Sequence, residues 1–299
     1  MATDTRIQLP PANYKVEQMD MGRKHVYRVT RDNGEVSNYG GVTGVLGVIA
    51  KPQLIPWANN QGISHVVASL ICGDDLKATA ERARDVAEGI KAAKKSKKFV
   101  EYMTKFLAEK FTWEKGTKID VSPPNVAEIM NRAIKAPDEI KDEAASIGTM
   151  AHAYFEKFIR GEDPGEISDK IRPAVDAFNK WISEAKLSIV GGDTKVASIK
   201  HCYGGALDFL AIDNNENWVL GDFKTSSGCW PEYCLQVAAY LNAFSETYGI
   251  ECTRAIIVRF SKTEPVEFEV KELKDIKKSF EAFLAAKELQ GILRDELFL

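Results

Sequence analysis

The sequence is poor in the features that would place a chain in a membrane or an oxidising compartment. No apolar run approaches the roughly 20 residues needed to cross a bilayer, and the stretch from Met1 to Pro11 lacks the apolar centre of a secretory signal. A cytoplasmic location without membrane attachment is therefore expected. Cysteine is scarce: five residues, at 72, 202, 229, 234 and 252. An odd count with no paired CxxC spacing argues against a disulfide framework and against a zinc site. An excess of basic charge is also missing, since the net formal charge is −3 over 299 residues. That excludes a coat protein that holds nucleic acid by overall charge, but not an enzyme with a carboxylate site and local basic patches.

What is present is a change of pattern along the chain. His25-Val26-Tyr27-Arg28-Val29 alternates, Asn33-Gly34 is a hairpin turn signal, and a β-branched run through Ile49 reads as strand. From Asp75 to Phe111 the composition favours long helices, Pro123-Pro124 marks a break, and a helix is expected over Val126 to Lys135. Helical periodicity returns from Glu143 to Arg160, with Ile147, Met150, Tyr154 and Phe158 as the apolar stripe and Gly161 as the cap. Another helix is expected from Arg172 to Lys186. Strands follow at Lys195 to Tyr203, Ala206 to Ile212 and Trp218 to Thr225, then a helix from Pro231 to Tyr248. Strands at Arg254 to Phe260 and Val266 to Val270 and a closing helix over Leu273 to Gln290 complete the pattern. That order implies an α/β core with a mixed central sheet flanked by helices.

Three charged residues interrupt the apolar strands. In Gly205-Ala206-Leu207-Asp208-Phe209-Leu210 and Leu220-Gly221-Asp222-Phe223-Lys224, only Asp208, Asp222 and Lys224 are ionisable. An unpaired charge inside a covered sheet costs several kcal/mol, so something must compensate it. Residues two apart share a face, which makes Asp222 and Lys224 neighbours. A hairpin pairing Ile212 with Trp218 sets Asp208 opposite Asp222, with Cβ atoms roughly 4.5–5.5 Å apart. Two converging carboxylates repel unless a cation lies between them, and hard oxygen ligands suit Mg²⁺ or Mn²⁺. The plainer alternative is a buried Asp–Lys ion pair with a second Asp at a strand end.

Two helices carry further polar residues at helical spacing. His152 and Glu156 are four apart on one face, as are Gln236 and Tyr240. Imidazole fits the coordination sphere of Mn²⁺ beside carboxylates; each pair would also serve as an ordinary half-buried helix face.

In combination, Gly148-Thr149-x-x-His152, Gly205-x-x-Asp208, Asp222-x-Lys224 and Gln236-x-x-x-Tyr240 resemble the RecB-like nucleases of the PD-(D/E)XK superfamily over roughly residues 143 to 270. The earlier segment from Tyr39 to Leu46, with Lys51-Pro52 and Trp57-Ala58, looks like the opening of phage-encoded and mitochondrial genome-maintenance exonucleases, with Gly40-Gly41 where those relatives tend to carry Pro-Ser. The resemblance implies a restriction-endonuclease-like core over residues 141–299 and a β-hairpin and helical extension packed on it over residues 1–140. It implies that His152, Asp208, Asp222 and the Phe223 carbonyl hold one or two Mg²⁺ or Mn²⁺ ions, and that Lys224, its pKa depressed by nearby metal, positions or deprotonates the attacking water. Gln236 and Tyr240 would orient substrate or support Lys224, with Glu156 behind the ligands. Some relatives carry an iron–sulfur cluster on one early and three late cysteines; here only Cys252 lies beyond residue 234, so no iron–sulfur cluster is expected.

The implied activity is phosphodiester hydrolysis from DNA ends leaving a 5′-phosphate, in phage-type recombination or replication within a bacterial host. A single-strand annealing or binding protein is the natural partner. Lys94, Lys95, Lys97 and Lys98, in a run that otherwise reads as a solvated helix face, would guide a single strand by its phosphates. The competing readings are a structure-specific endonuclease with the same chemistry and a non-catalytic DNA-binding subunit of the same fold.

Overall fold

The structure, a computed structural model, describes residues 9–21, 24–49, 54–72, 76–93, 105 and 123–294. Lys94, Lys95, Lys97 and Lys98, expected to contact DNA, lie outside the described residues. The chain divides into two compact units, residues 1–50 together with 146–299, and residues 51–145.

The first unit opens with an antiparallel meander of β1 (Lys15–Met21), β2 (Lys24–Thr30) and β3 (Val36–Gly41). Asn33 Oδ1 accepts the Glu35 N–H in its second turn, beside Gly34 at φ 81°. The β-branched run after it does not continue as strand: Val42–Leu46 is a short helix, α1. Val42, Val45 and Leu46 are buried together there, and only helical geometry puts positions i, i+3 and i+4 on one side. β1 had no sequence signal, because its buried and exposed positions do not alternate cleanly.

The second unit is helical, with α2 (Leu54–Cys72), α3 (Leu76–Ala93) and the first part of α4 (Pro123–Ile159). The two helices expected over 126–135 and 143–160 are one helix that continues through Pro137. Proline removes one hydrogen bond and crowds the preceding turn, yet the flanking Ala, Glu, Lys and Asp residues are compatible with helix on both sides. The helical segment is thus an insertion between the N-terminal strands and the rest, and β1–β3 join the core's own sheet.

The remainder of the first unit runs α5 (Arg172–Glu184), β4 (Leu187–Ser198), β5 (Tyr203–Asp213), β6 (Trp218–Lys224), α6 (Glu232–Tyr248), β7 (Arg254–Phe260), β8 (Phe268–Glu272) and α7 (Ile276–Arg294). Eight strands form one mixed sheet in the order β1-β2-β3-β5-β6-β7-β8, with β4 paired along β5. β6 and β7 are parallel, as the intervening α6 crossover requires. Apolar packing covers both faces. Tyr203, Leu207, Leu220 and Ile257 pack with α1, α6 and α7, whereas Phe209, Val219, Phe223 and Val258 pack with α5 and the last three turns of α4. Burial on both faces explains why β5 and β6 read as nearly continuous apolar runs.

The apolar stripe expected on the helix before Arg160 is displaced by one residue. Ala151, Phe155 and Ile159 are the buried positions, while Met150 is exposed and Ile147, Tyr154 and Phe158 are only partly covered. Phe155 stacks on Phe178 with centroids 4.4 Å apart and meets Phe223 and Phe260 edge-on.

Candidate active site

β5 is shared along one edge by two strands. β3 pairs in parallel with Tyr203 and Gly204 at its start, and β6 pairs antiparallel with Phe209 to Ile212 at its end. Between them the sheet forks, and Asp208 lies in the fork. The Ile212–Trp218 pairing is the one expected from the hairpin, and it brings Phe209 opposite Gly221. One step further the ladder gives way: Asp208 Oδ2 accepts the backbone N–H of Phe223 at 2.6 Å. Here the pleat also loses its alternation, since Leu207 and Leu210 face one layer while Phe209 and Ala211 face the other. A side chain thus substitutes for a strand partner at the point where β5 and β6 separate.

Both helical layers reach this fork. From α4, His152 Nδ1 stands 3.6 Å from Asp208 Oδ1. Gly148, one turn earlier, has Thr225 Oγ1 3.2 Å from where a Cβ would project, so the helix approaches the residue after β6 closely here. From α6, Gln236 Nε2 donates to the Tyr240 hydroxyl at 2.8 Å with both residues buried. The Tyr240 ring occupies the space over Gly205, where any Cβ would overlap it. On β6, Lys224 Nζ pairs with Asp222 Oδ2 and lies 4.9 Å from the centroid of the Tyr233 ring. His152, Asp208, Asp222, Lys224, Gln236 and Tyr240 therefore converge. Phe223 contributes its backbone N–H, and its side chain is buried in the aromatic core.

The electrostatics follow from burial and mutual proximity. Burial raises the Asp222 carboxyl to about 6; Lys224 opposes this and Asp208 adds to it. Burial also disfavours charge on Asp208, but His152, Lys224 and the Phe223 N–H outweigh it and hold that carboxyl below its usual range. For His152 and Lys224 burial disfavours the cation, yet the neighbouring carboxylates prevail and both are raised. The depressed Lys224 expected beside a metal is thus not what the chain's own groups produce: alone, they hold an ammonium. Glu156 is half-buried and raised, first by burial and then by Asp193 and Asp208.

By donor chemistry, two carboxylates and an imidazole suit a divalent cation. Asp222 is buried, and its Oδ2 is engaged by the Lys224 ammonium. Among the described residues, however, no three His, Cys, Asp or Glu side chains are drawn to a common point. A cation there would compete with the Lys224 ammonium for Asp222.

Two neighbours escaped the sequence reading. Asp193 lies across β4 from Asp208, between the pairs Gly192–Phe209 and Thr194–Leu207, with φ 49° and contacts to Lys195 and Arg160. It was missed because that strand was expected to begin at Lys195. Tyr233 stands three residues before Gln236 and seven before Tyr240, a helical spacing that could have revealed it.

A scan against protein-family models gave no match, and a search of curated proteins also gave none. Among solved structures the chain is similar to an alkaline exonuclease from Laribacter hongkongensis, at 16% identity over 50% of this chain and 82% of that chain with a TM-score of 0.28. A complex of that exonuclease with dAMP gives 15% identity, 51% and 95% coverage and a TM-score of 0.28. A protein from Eubacterium rectale described as a candidate exonuclease gives 13% identity, 66% and 78% coverage and a TM-score of 0.32. At that level of similarity, any assignment rests on the chain's own residues.

Proposed function

We propose that this chain is a divalent-metal-dependent deoxyribonuclease of the PD-(D/E)XK type, RecB-like branch, acting from DNA ends. The observation that carries the reading is the fork itself, where Asp208, Asp222 and Lys224 meet His152 from one helical layer and Gln236 and Tyr240 from the other.

His152, Asp208, Asp222 and the Phe223 carbonyl would hold Mg²⁺ or Mn²⁺. The ion supplies positive charge that activates water and offsets charge developing on the scissile phosphate. The chain's own residues do the rest. Asp208 is oriented by the Phe223 N–H at Oδ2, with His152 beside its Oδ1. Lys224 donates from its ammonium to the attacking water or to a non-bridging phosphate oxygen. Gln236 steadies the Tyr240 hydroxyl, and the Tyr240 ring walls the fork beside Gly205. Glu156, one turn beyond His152, adds negative charge behind the imidazole. DNA with a free end or single-stranded character is the proposed substrate, a single-strand annealing or binding protein the proposed partner, and a bacterial host cell the proposed setting.

The test is cleavage of end-labelled linear and circular single-stranded DNA with Mg²⁺, Mn²⁺ or EDTA. Metal-dependent loss of the linear form alone supports the exonuclease. Cutting of both forms moves the reading to an endonuclease with the same site. Binding without cleavage in any metal contradicts the reading in favour of a non-catalytic subunit.

A further inference from the structure

Asp222 carries two demands. It pairs with the Lys224 ammonium, and in the proposed reaction the same carboxylate faces a divalent cation. A carboxylate engaged by a cation attracts a neighbouring ammonium less. The Lys224 side chain is long and flexible, so loss of that pairing would free it to leave the fork. The ring of Tyr233 also stands at the ammonium, its centroid 4.9 Å from Nζ. An aromatic face attracts an ammonium without bearing net charge, so it neither competes with Asp222 for metal nor repels a phosphate. Tyr233 is placed for this by the first turn of α6, on the face that carries Gln236 and Tyr240 further along.

We infer that Tyr233 is a positioning residue for Lys224, its ring holding the ammonium in the fork when Asp222 is engaged by metal. This rests on the nuclease reading above. The ring face, not the hydroxyl, performs the task, so the two can be separated by substitution. Tyr233→Phe keeps the face and loses the hydroxyl, whereas Tyr233→Leu keeps apolar bulk and loses the face.

The test combines kinetics on a linear single strand in Mn²⁺ with an NMR measurement on the metal-free protein. Tyr233→Leu should lower kcat about tenfold, within the range of a desolvated ammonium–ring contact, with KM within about twofold; Tyr233→Phe should stay within about twofold of wild type in both. In the NMR spectrum, the Lys224 ε-methylene protons, assigned by Lys224→Arg, should show an upfield ring-current shift that persists in Tyr233→Phe and vanishes in Tyr233→Leu. Wild-type kcat in Tyr233→Leu, or equal losses in the Leu and Phe variants, overturns the inference while leaving the nuclease reading intact. An unshifted Lys224 signal in wild type overturns it without any variant. Absence of cleavage by wild type removes the nuclease reading and the inference with it.

Discussion

Asp208 and Phe223 are joined by a 2.6 Å hydrogen bond from the backbone N–H of one to the carboxylate of the other. Phe223 sits between Asp222 and Lys224, so a single contact sets the spacing of all three ionisable groups. It also satisfies a buried donor that the ladder abandons where β5 and β6 part. Asp208 thereby has a structural duty beside its proposed chemical one, and substitutions can separate them.

Asp208→Asn retains an oxygen acceptor for Phe223 and should melt close to wild type while losing at least a hundredfold in DNA cleavage. Asp208→Ala strands the N–H and should lose about 1–3 kcal/mol of stability as well. Denaturant titrations of the two variants beside cleavage assays check this. Equal stability of both variants would show that the hydrogen bond is not a structural element.

Gly205→Ala puts a methyl group into the space of the Tyr240 ring. The ring must move, breaking its hydrogen bond with Gln236, at a cost of about 1–3 kcal/mol typical of overpacking. Thermal melting should register the loss, and cleavage should fall with it. A Gly205→Ala protein with unchanged melting temperature would mean that Tyr240 does not occupy that position in solution.

The aromatic cluster behind the site should dominate stability. Phe155 is fully buried and stacked on Phe178, so Phe155→Ala should cost about 3–5 kcal/mol. Met150→Ala, five positions earlier on a more exposed face, should cost well under half of that. Urea unfolding of the pair tests the one-residue displacement of the stripe directly, and a reversed order would contradict it.

That displacement shows what the sequence could and could not disclose. Register on the sheet was legible because Asp208, Asp222 and Lys224 interrupt apolar runs at positions that only one hairpin pairing brings together, and the observed Ile212–Trp218 pairing is that one. The bounds of β7 were legible too, since Arg254 and Phe260 delimit a short apolar run. On α4 the pattern was ambiguous: apolar residues at 147, 150, 151, 154, 155, 158 and 159 surround much of the helix, so two stripes fit, and only packing against Phe178 and Phe223 chooses between them. Asp193 was hidden by its own geometry, because a left-handed residue after Gly191 and Gly192 reads as a strand break. The run after Gly41, expected as strand, is helix because Val42 and Val45 are buried on a common side, which no local propensity encodes.

Protonation of Asp222 gives a pH dependence with a defined sign. Its carboxyl titrates at about 6 in the folded chain and at ~3.9 when unfolded. Between these values the folded form holds the extra proton, so this group's contribution to metal-free stability is full at low pH and is lost as pH rises through 6. Asp222→Asn should abolish that component, seen as a flatter melting temperature between about pH 4 and 7. Mn²⁺ needs the carboxylate, so its affinity should rise over the same interval and its binding should release protons. Calorimetry in two buffers of different ionisation enthalpy measures the release; proton uptake would reverse the assignment.

The proposed hydrolytic metal site is the fork between β3 and β6, built on Asp208 and Asp222. Cleavage of an end-labelled linear strand in Mn²⁺ by wild type and by Asp222→Asn, a near-isosteric change that removes only the charge, addresses it most directly. Wild type should cleave robustly, and Asp222→Asn should lose at least a hundredfold with DNA still bound. Equal cleavage by the two proteins would place the chemistry elsewhere in the molecule.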